Sequence, residues 1–330
     1  EGLRAAVTSQ RFEWDGKAFE TTCSIGYVAI TRTSQSAAQL MSNADAACYV
    51  AKDKGRNRTQ EYFGGKDCTR KQLEMEWAVR IKQALDDERF ALYYQTIAPV
   101  ADKQPLPVQR EILLRMIDEN GETVPPAQFI PAAEKYNLMT AIDRLVVRKV
   151  LDWLAANPAE AARYVWAINL SGHSLGDEAF LGFVAAELKR TQIAGERLCF
   201  EITETAAIAD LARAQRFIAE LKQLRCRFAL DDFGSGMASY GYLKNLPVDT
   251  IKIDGAFIKG MVNDAIDQVM VESIHRIARL LGIRTVAEFV EDAAILARLK
   301  TIGVDYAQGF HVHRPEPLAA PATSTRRAAG

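Results

Sequence analysis

Two carboxylates stand side by side in "RFALDDFGSG", where Asp231 and Asp232 follow an apolar run and precede a glycine-flanked turn. Ionised neighbours of this kind repel, and buried unpaired charge costs several kcal/mol, so the arrangement calls for compensating cations. The same pattern recurs along the chain. Glu111, Asn169, Glu201, Asp231 with Asp232, Lys252, Glu288 and Gln308 each sit inside or at the end of a short run of Ile, Leu, Val, Ala and Phe. Oxygen donors with one amide, and no Cys/His spacing, point to hard ions such as Mg²⁺ or Mn²⁺ rather than zinc. Adjacent aspartates suit two ions, one carboxylate bridging while its neighbour serves the second. Two ions about 3.5–4 Å apart suit in-line displacement at a phosphodiester, and Lys252 adds positive charge near an attacking water.

These residues need elements that bring them to one place. From about Leu92 onward, short β-branched or aromatic runs alternate with helical segments such as "EAFLGFVAAELKRT" and "DLARAQRFIAELKQL". The strand candidates are "FALYYQTI", "VQREILLRMI", "YVWAINLS", "LCFEITE", "RFALDDFG", "DTIKIDG", "RTVAEFVE" and "YAQGFHV". Strands alternating with helices in this number predict an α/β fold, a modified (β/α)8 TIM-like barrel, in which polar groups at the strand ends converge on one mouth. The connection "APVADKQPLP" is too short for a helical crossover, so the first strand pair is expected to be antiparallel.

The first sixty residues read as a separate α+β unit too small for a core of its own, with a strand in "TTCSIGYVAI" and an alanine-rich helix in "SQSAAQLMSNADAACYVAKDKG". The expected domains are 1–62, a linker at 63–70, a barrel over 71–318 and a disordered tail over 319–330. Forty-one Lys and Arg against forty-two Asp and Glu leave no basic field for DNA or an anionic membrane. Five cysteines without CxxC pairing, and no apolar run long enough to span a bilayer, predict a reduced cytoplasmic setting without membrane insertion of this chain. A membrane-anchored sensor with further parts upstream is compatible with that reading.

Ordered motifs then carry a resemblance. "EILLR", "FIPAAE", "INLSGHSL", "FEITET", "LDDFGSG", "YLKNLPVDTIKID", "AEFVED" and "QGF" resemble, in order, the motifs of the EAL-domain family, bacterial phosphodiesterases that open cyclic di-GMP to linear pGpG with Mg²⁺ or Mn²⁺. The resemblance implies that Glu111, Asn169, Glu201 and Asp231 hold one ion, with Asp231 shared by a second that Asp232 and Glu288 also hold. It implies that Lys252 orients the nucleophilic water, with Gln308 beside it. Arg115 would grip a substrate phosphate, and Gln95 would read a guanine edge. Glu204 would steady the loop after the aspartates, which the family uses at a homodimer interface.

Departures from the family pattern are few. Ile112 replaces the signature alanine, Met237 and Ala238 alter the loop after "DDFG", and Phe289 stands where glycine is usual, beside Glu288, which it is expected to tilt. The first sixty residues resemble the C-terminal half of a GGDEF, or diguanylate cyclase, domain, with Lys52 and Arg56 at its phosphate-holding positions. Without the other half they are not expected to form a working cyclase. The alternative to an enzyme is a receptor, an EAL domain that has lost ligands and binds cyclic di-GMP without turnover.

Overall fold

A computed structural model of the chain describes residues 1–9, 11–14, 17–20, 22–30, 57–62, 70–101, 106–234 and 240–318, with single residues between 37 and 51. Lys52, Arg56, Met237, Ala238, most of the expected linker and the tail lie outside the described residues. The chain divides into two compact units, Glu1–Arg80 and Ile81–Gly330.

The first unit holds the helix Gly2–Ser9, an antiparallel pair β1 (Arg11–Trp14) and β2 (Lys17–Glu20), and a parallel pair β3 (Ile25–Val28) and β4 (Thr59–Tyr62). The strand expected in "TTCSIGYVAI" is thus formed over four of its residues. Gly26 lets β3 lie against the backbone of Ala44 and Cys48, where a Cβ would overlap both.

In the second unit, β5 (Phe90–Pro99), β6 (Gln109–Ile117), β8 (Val165–Asn169), β9 (Leu198–Thr203), β10 (Arg227–Phe233), β11 (Thr250–Ile253), β12 (Arg284–Ala287) and β13 (Tyr306–Ala307) close into a ring. From β6 to β13 every neighbour is parallel. β5 runs antiparallel to both β6 and β13, as the short connection after it dictates. Two-residue strands β7 (Thr123–Val124) and β14 (Glu316–Pro317) pair at the margins, on β6 and β5.

The period-2 alternation of a strand explains where the polar residues fall. Val165, Ala167, Cys199 and Ala229 form one buried cluster inside the ring, and Ile97, Val286 and Tyr306 form another. Two residues beyond these plugs, on the same faces, come Asn169, Glu201, Asp231, Glu288 and Gln308. The intervening Trp166, Phe200 and Phe228 point to the helices, where Trp166 meets Trp153 and Phe228 meets Phe217. Four of the surrounding helices carry aspartate caps. Asp177, Asp210, Asp264 and Asp292 accept a backbone N–H at the starts of Glu178–Thr191, Leu211–Gln223, Ala265–Leu280 and Ala293–Ile302. Among the described residues no helix is long and apolar enough to cross a membrane.

Candidate active site

A regular strand would send Asp231 and Asp232 to opposite faces. The register of β10 against β11 shifts between Leu230 and Phe233, and Asp232 takes a left-handed φ of 54°. Such a bulge re-aims a side chain at a barrel rim, and Asp tolerates the left-handed region better than most residues. Both aspartates consequently serve one site: Asp231, Asp232 and Glu288 each offer an oxygen within 4.8 Å of the others. Oxygens on one Mg²⁺ at about 2.1 Å lie up to about 4.2 Å apart, so this trio stands close to ligand spacing.

At the centre of the ring lies Lys252, 1% exposed. Its Nζ reaches Glu201 at 2.9 Å, Glu288 at 2.9 Å, Asp231 at 3.1 Å and Glu111 at 3.4 Å. Glu111 also accepts from Gln308 Nε2 at 2.5 Å and from Asn169 Nδ2 at 2.7 Å. Burial disfavours charge on Lys252, yet the four carboxylates hold its pKa well above the ordinary lysine range. Burial would push Glu111 up, but Lys252, Gln308 and Asn169 bring it below the usual carboxylate value. Glu201 is driven well upward by burial against the pull of Lys252, with Glu111 and Asp231 adding repulsion. Glu288 is pushed up to about 7, by burial first and by Asp231 and Glu111 as well. Asp232 also rises, through burial and then the adjacent Asp231.

Burial is the first cause of all three upward shifts, and repulsion among carboxylates adds to each. Four carboxylates contact one ammonium and Asp232 stands beside Asp231 and Glu288, so the five side chains carry four more formal negative charges than the lysine offsets, a count that two divalent cations would balance. The donor set is all oxygen apart from the lysine, as Mg²⁺ or Mn²⁺ prefers.

Two cavities open on either side of β6. One, of about 230 Å³, is lined by Gln95, Glu111, Glu288, Gln308 and the exposed rings of Phe289 and Phe310. The other, of about 1060 Å³, is lined by Arg115, Asp143, Asn169, Ser171 and Arg213 among others. Gln95 lies opposite Glu111 across the β5–β6 pair and donates to the His313 carbonyl at 2.8 Å. Gln308 Nε2 also donates to Gln95 Oε1 at 3.1 Å, while Gln308 Oε1 is buried without a partner among the described residues. Arg115 stands apart from the carboxylates, donating to the Leu114 carbonyl with its guanidinium 5.4 Å from the Tyr93 ring. Apart from Arg115 and Glu204, the sequence-expected residues thus meet in one cluster.

The EAL domain family matches residues 78–315. The chain belongs to the EAL-domain family. A second family description, diguanylate cyclase GGDEF domain, matches residues 2–58. The chain is 45% identical over 284 residues to the cyclic di-GMP phosphodiesterase PdeB of Shewanella oneidensis, covering 86% of this chain and 33% of that protein. It is 38% identical to the cyclic di-GMP phosphodiesterase PdeF of Escherichia coli, covering 72% of this chain and 32% of that protein. The chain thus spans about a third of the length of these curated relatives. Among solved structures, the PaMucR phosphodiesterase in complex with c-di-GMP matches with a TM-score of 0.69 at 30% identity, covering 74% of this chain and 98% of that one. The FimX EAL domain of Pseudomonas aeruginosa bound to c-di-GMP matches with a TM-score of 0.68 at 29% identity, covering 73% and 96%.

Around the carboxylates, the EAL barrel adds supports that the sequence motifs did not reveal. Asp143, 3% exposed, accepts from Ser171 N at 3.0 Å, Ser171 Oγ at 2.7 Å and Ser174 Oγ at 2.7 Å, pinning the loop that follows Asn169. The available signal was a lone aspartate on the apolar face of "MTAIDRLVV", beside Ile142, Val146 and Val147. Glu204, by contrast, is one of the residues expected from the sequence: it is buried and accepts from Gly234 N at 2.9 Å and Tyr242 Oη at 2.6 Å, the two sides of the loop after β10.

Phe289 has a left-handed φ of 52°, which accounts physically for glycine being usual there. Its ring covers Gly255, where a Cβ would overlap it, and sits 4.2 Å from Lys259 Nζ. Glu288 retains its ion pair with Lys252 alongside this bulky neighbour.

Proposed function

We propose that this EAL barrel hydrolyses cyclic di-GMP to linear pGpG by a two-metal-ion mechanism, using Mg²⁺ or Mn²⁺. The observation that carries the reading is the convergence of four carboxylates on buried Lys252, with Asp232 beside Asp231 and Glu288, a formal excess of four negative charges. The relatives named as cyclic di-GMP phosphodiesterases and the c-di-GMP complexes support the substrate.

In this reading Glu111, Asn169, Glu201 and Asp231 hold one ion, and Asp231, Asp232 and Glu288 the other. When bound, the ions supply Lewis-acid charge that lowers the pKa of water and offsets charge on the phosphate. The ammonium of Lys252 and the unpaired Oε1 of Gln308 offer a donor and an acceptor that fix a water's orientation. Arg115 binds the second phosphate and Gln95 meets a guanine edge. Each turnover adds one water across one phosphodiester and leaves the other intact. A receptor that binds without turnover is the weaker reading, because the acidic residues, Asn169 and Lys252 are all in place.

The wider assignments belong to the same proposal. Residues 1–62 form a GGDEF-like fragment, 63–70 a linker, 71–318 the barrel and 319–330 a tail. The chain works on the cytoplasmic side of the membrane as part of a longer signalling protein, consistent with free Cys23, Cys48, Cys199 and Cys226. The barrel forms a homodimer, for which exposed Val262, Ile266 and Val269, close together in the chain, offer an apolar contact. Glu111→Ala is the test of the site: it should lower turnover by at least about a hundredfold while circular dichroism shows the fold intact, at a cost in stability of about 1–3 kcal/mol because Asn169 and Gln308 lose an acceptor. Near-normal turnover in that variant would refute the assignment.

A further inference from the structure

At the opposite end of β12 from Glu288, a groove runs between the helices Ala265–Leu280 and Ala293–Ile302. It encloses about 480 Å³ and is lined by Glu272, His275, Arg276, Arg279, Arg298 and Thr301 with their neighbours. A second cavity of about 440 Å³ shares His275 and Arg279 with it and extends to Arg284 and Asp305.

Exposed arginines on a helix are usually no more than a solvated face. Here His275 sets them apart, being 7% exposed and lining both cavities. Its Nδ1 lies 2.8 Å from Thr285 Oγ1, and that hydroxyl donates to Asp305 Oδ2 at 3.1 Å. A hydroxyl has one proton to give, so Thr285 must accept from Nδ1–H, which fixes the ring's tautomer. Nε2 then faces away from this relay as an acceptor and has no partner among the described residues. Arg276, Arg279 and Arg298 form no ion pair among the described residues, and Glu272 is occupied by Gln268 Nε2 at 2.7 Å.

We propose that this groove is a binding site for the phosphate group of a small anion, separate from the acidic site. The guanidinium forks of Arg279 and Arg298 match phosphate oxygens, and Nε2 of His275 accepts from the P–OH of a hydrogenphosphate. A volume of about 480 Å³ lies within the range of small-ligand sites, enough for inorganic phosphate or for a nucleoside monophosphate. The site lies outside the carboxylate cluster, so its occupancy does not require the phosphodiesterase reading.

The test is titration calorimetry of the whole chain in EDTA, which keeps divalent ions out of the acidic site, with inorganic phosphate and AMP as separate probes. Saturable binding is expected, weakened at least about tenfold in Arg279→Gln and in the Arg276→Gln/Arg298→Gln pair. The variants should keep the wild-type circular dichroism and the wild-type hydrolysis rate without probe. Tighter binding of AMP identifies a nucleotide site and tighter or equal binding of phosphate a free-phosphate site; either upholds the proposal. No saturable binding of either probe, or binding unchanged in the variants, would overturn it.

Discussion

Lys252 touches Glu111, Glu201, Asp231 and Glu288 at once, so its charge is worth more here than in any single ion pair. Lys252→Met keeps the length of the side chain and removes the charge, leaving buried carboxylates unpaired. The expected loss of stability is about 3–5 kcal/mol in EDTA, read from thermal unfolding, with part of it regained on adding Mn²⁺. An unchanged melting temperature would show that the cluster does not depend on the lysine. Phe289 is a contrasting case: its ring rests on Gly255 and Lys259, while Glu288 is held by Lys252. Phe289→Gly should therefore leave turnover within a factor of about three, under 1 kcal/mol of barrier. A larger change would mean that the residue after Glu288 does set that carboxylate's position.

Among the elements, what the sequence made legible followed from period and spacing. Asn169, Glu201, Asp231, Glu288 and Gln308 each stand two positions after a residue that plugs the ring, as Ala167 precedes Asn169 and Cys199 precedes Glu201, and the alternation is plain in the chain. The brevity of the connection between β5 and β6 was enough to predict their antiparallel pairing. The bulge at Asp231 and Asp232 was not legible, because its cause is the register against β11, a long-range pairing that no local propensity encodes. Asp143 was missed for a related reason: only the folded chain brings the loop of Ser171 and Ser174 over a helix that starts some thirty residues earlier. Burial pushes the Asp143 carboxyl upward, and the serines partly offset this. Asp143→Ala should cost about 1–3 kcal/mol by leaving the serine donors unpaired, and should also slow turnover through the loop beside Asn169. Asp143→Asn, which keeps an acceptor, should lie between it and wild type in both unfolding and rate measurements.

For the whole molecule, the ring of eight strands explains why residues spread from Gln95 to Gln308 meet in one cluster: consecutive strands each present one side chain to the same mouth. Exposed Ile266 and Val269 stand on the outside, at 66% and 57% exposure. If they form the dimer contact, Ile266→Glu with Val269→Glu should shift the chain to monomer in sedimentation velocity, while an unaltered assembly state would place the contact elsewhere. The carboxylates and Lys252, with two ions bound, are proposed to make a hydrolytic site. The most direct test is incubation of the purified chain with cyclic di-GMP and Mg²⁺ or Mn²⁺, following the linear dinucleotide by chromatography. Metal-dependent accumulation of pGpG that stops in EDTA is expected; tight binding of cyclic di-GMP by a folded sample, with no linear product under either metal, would overturn the hydrolytic reading.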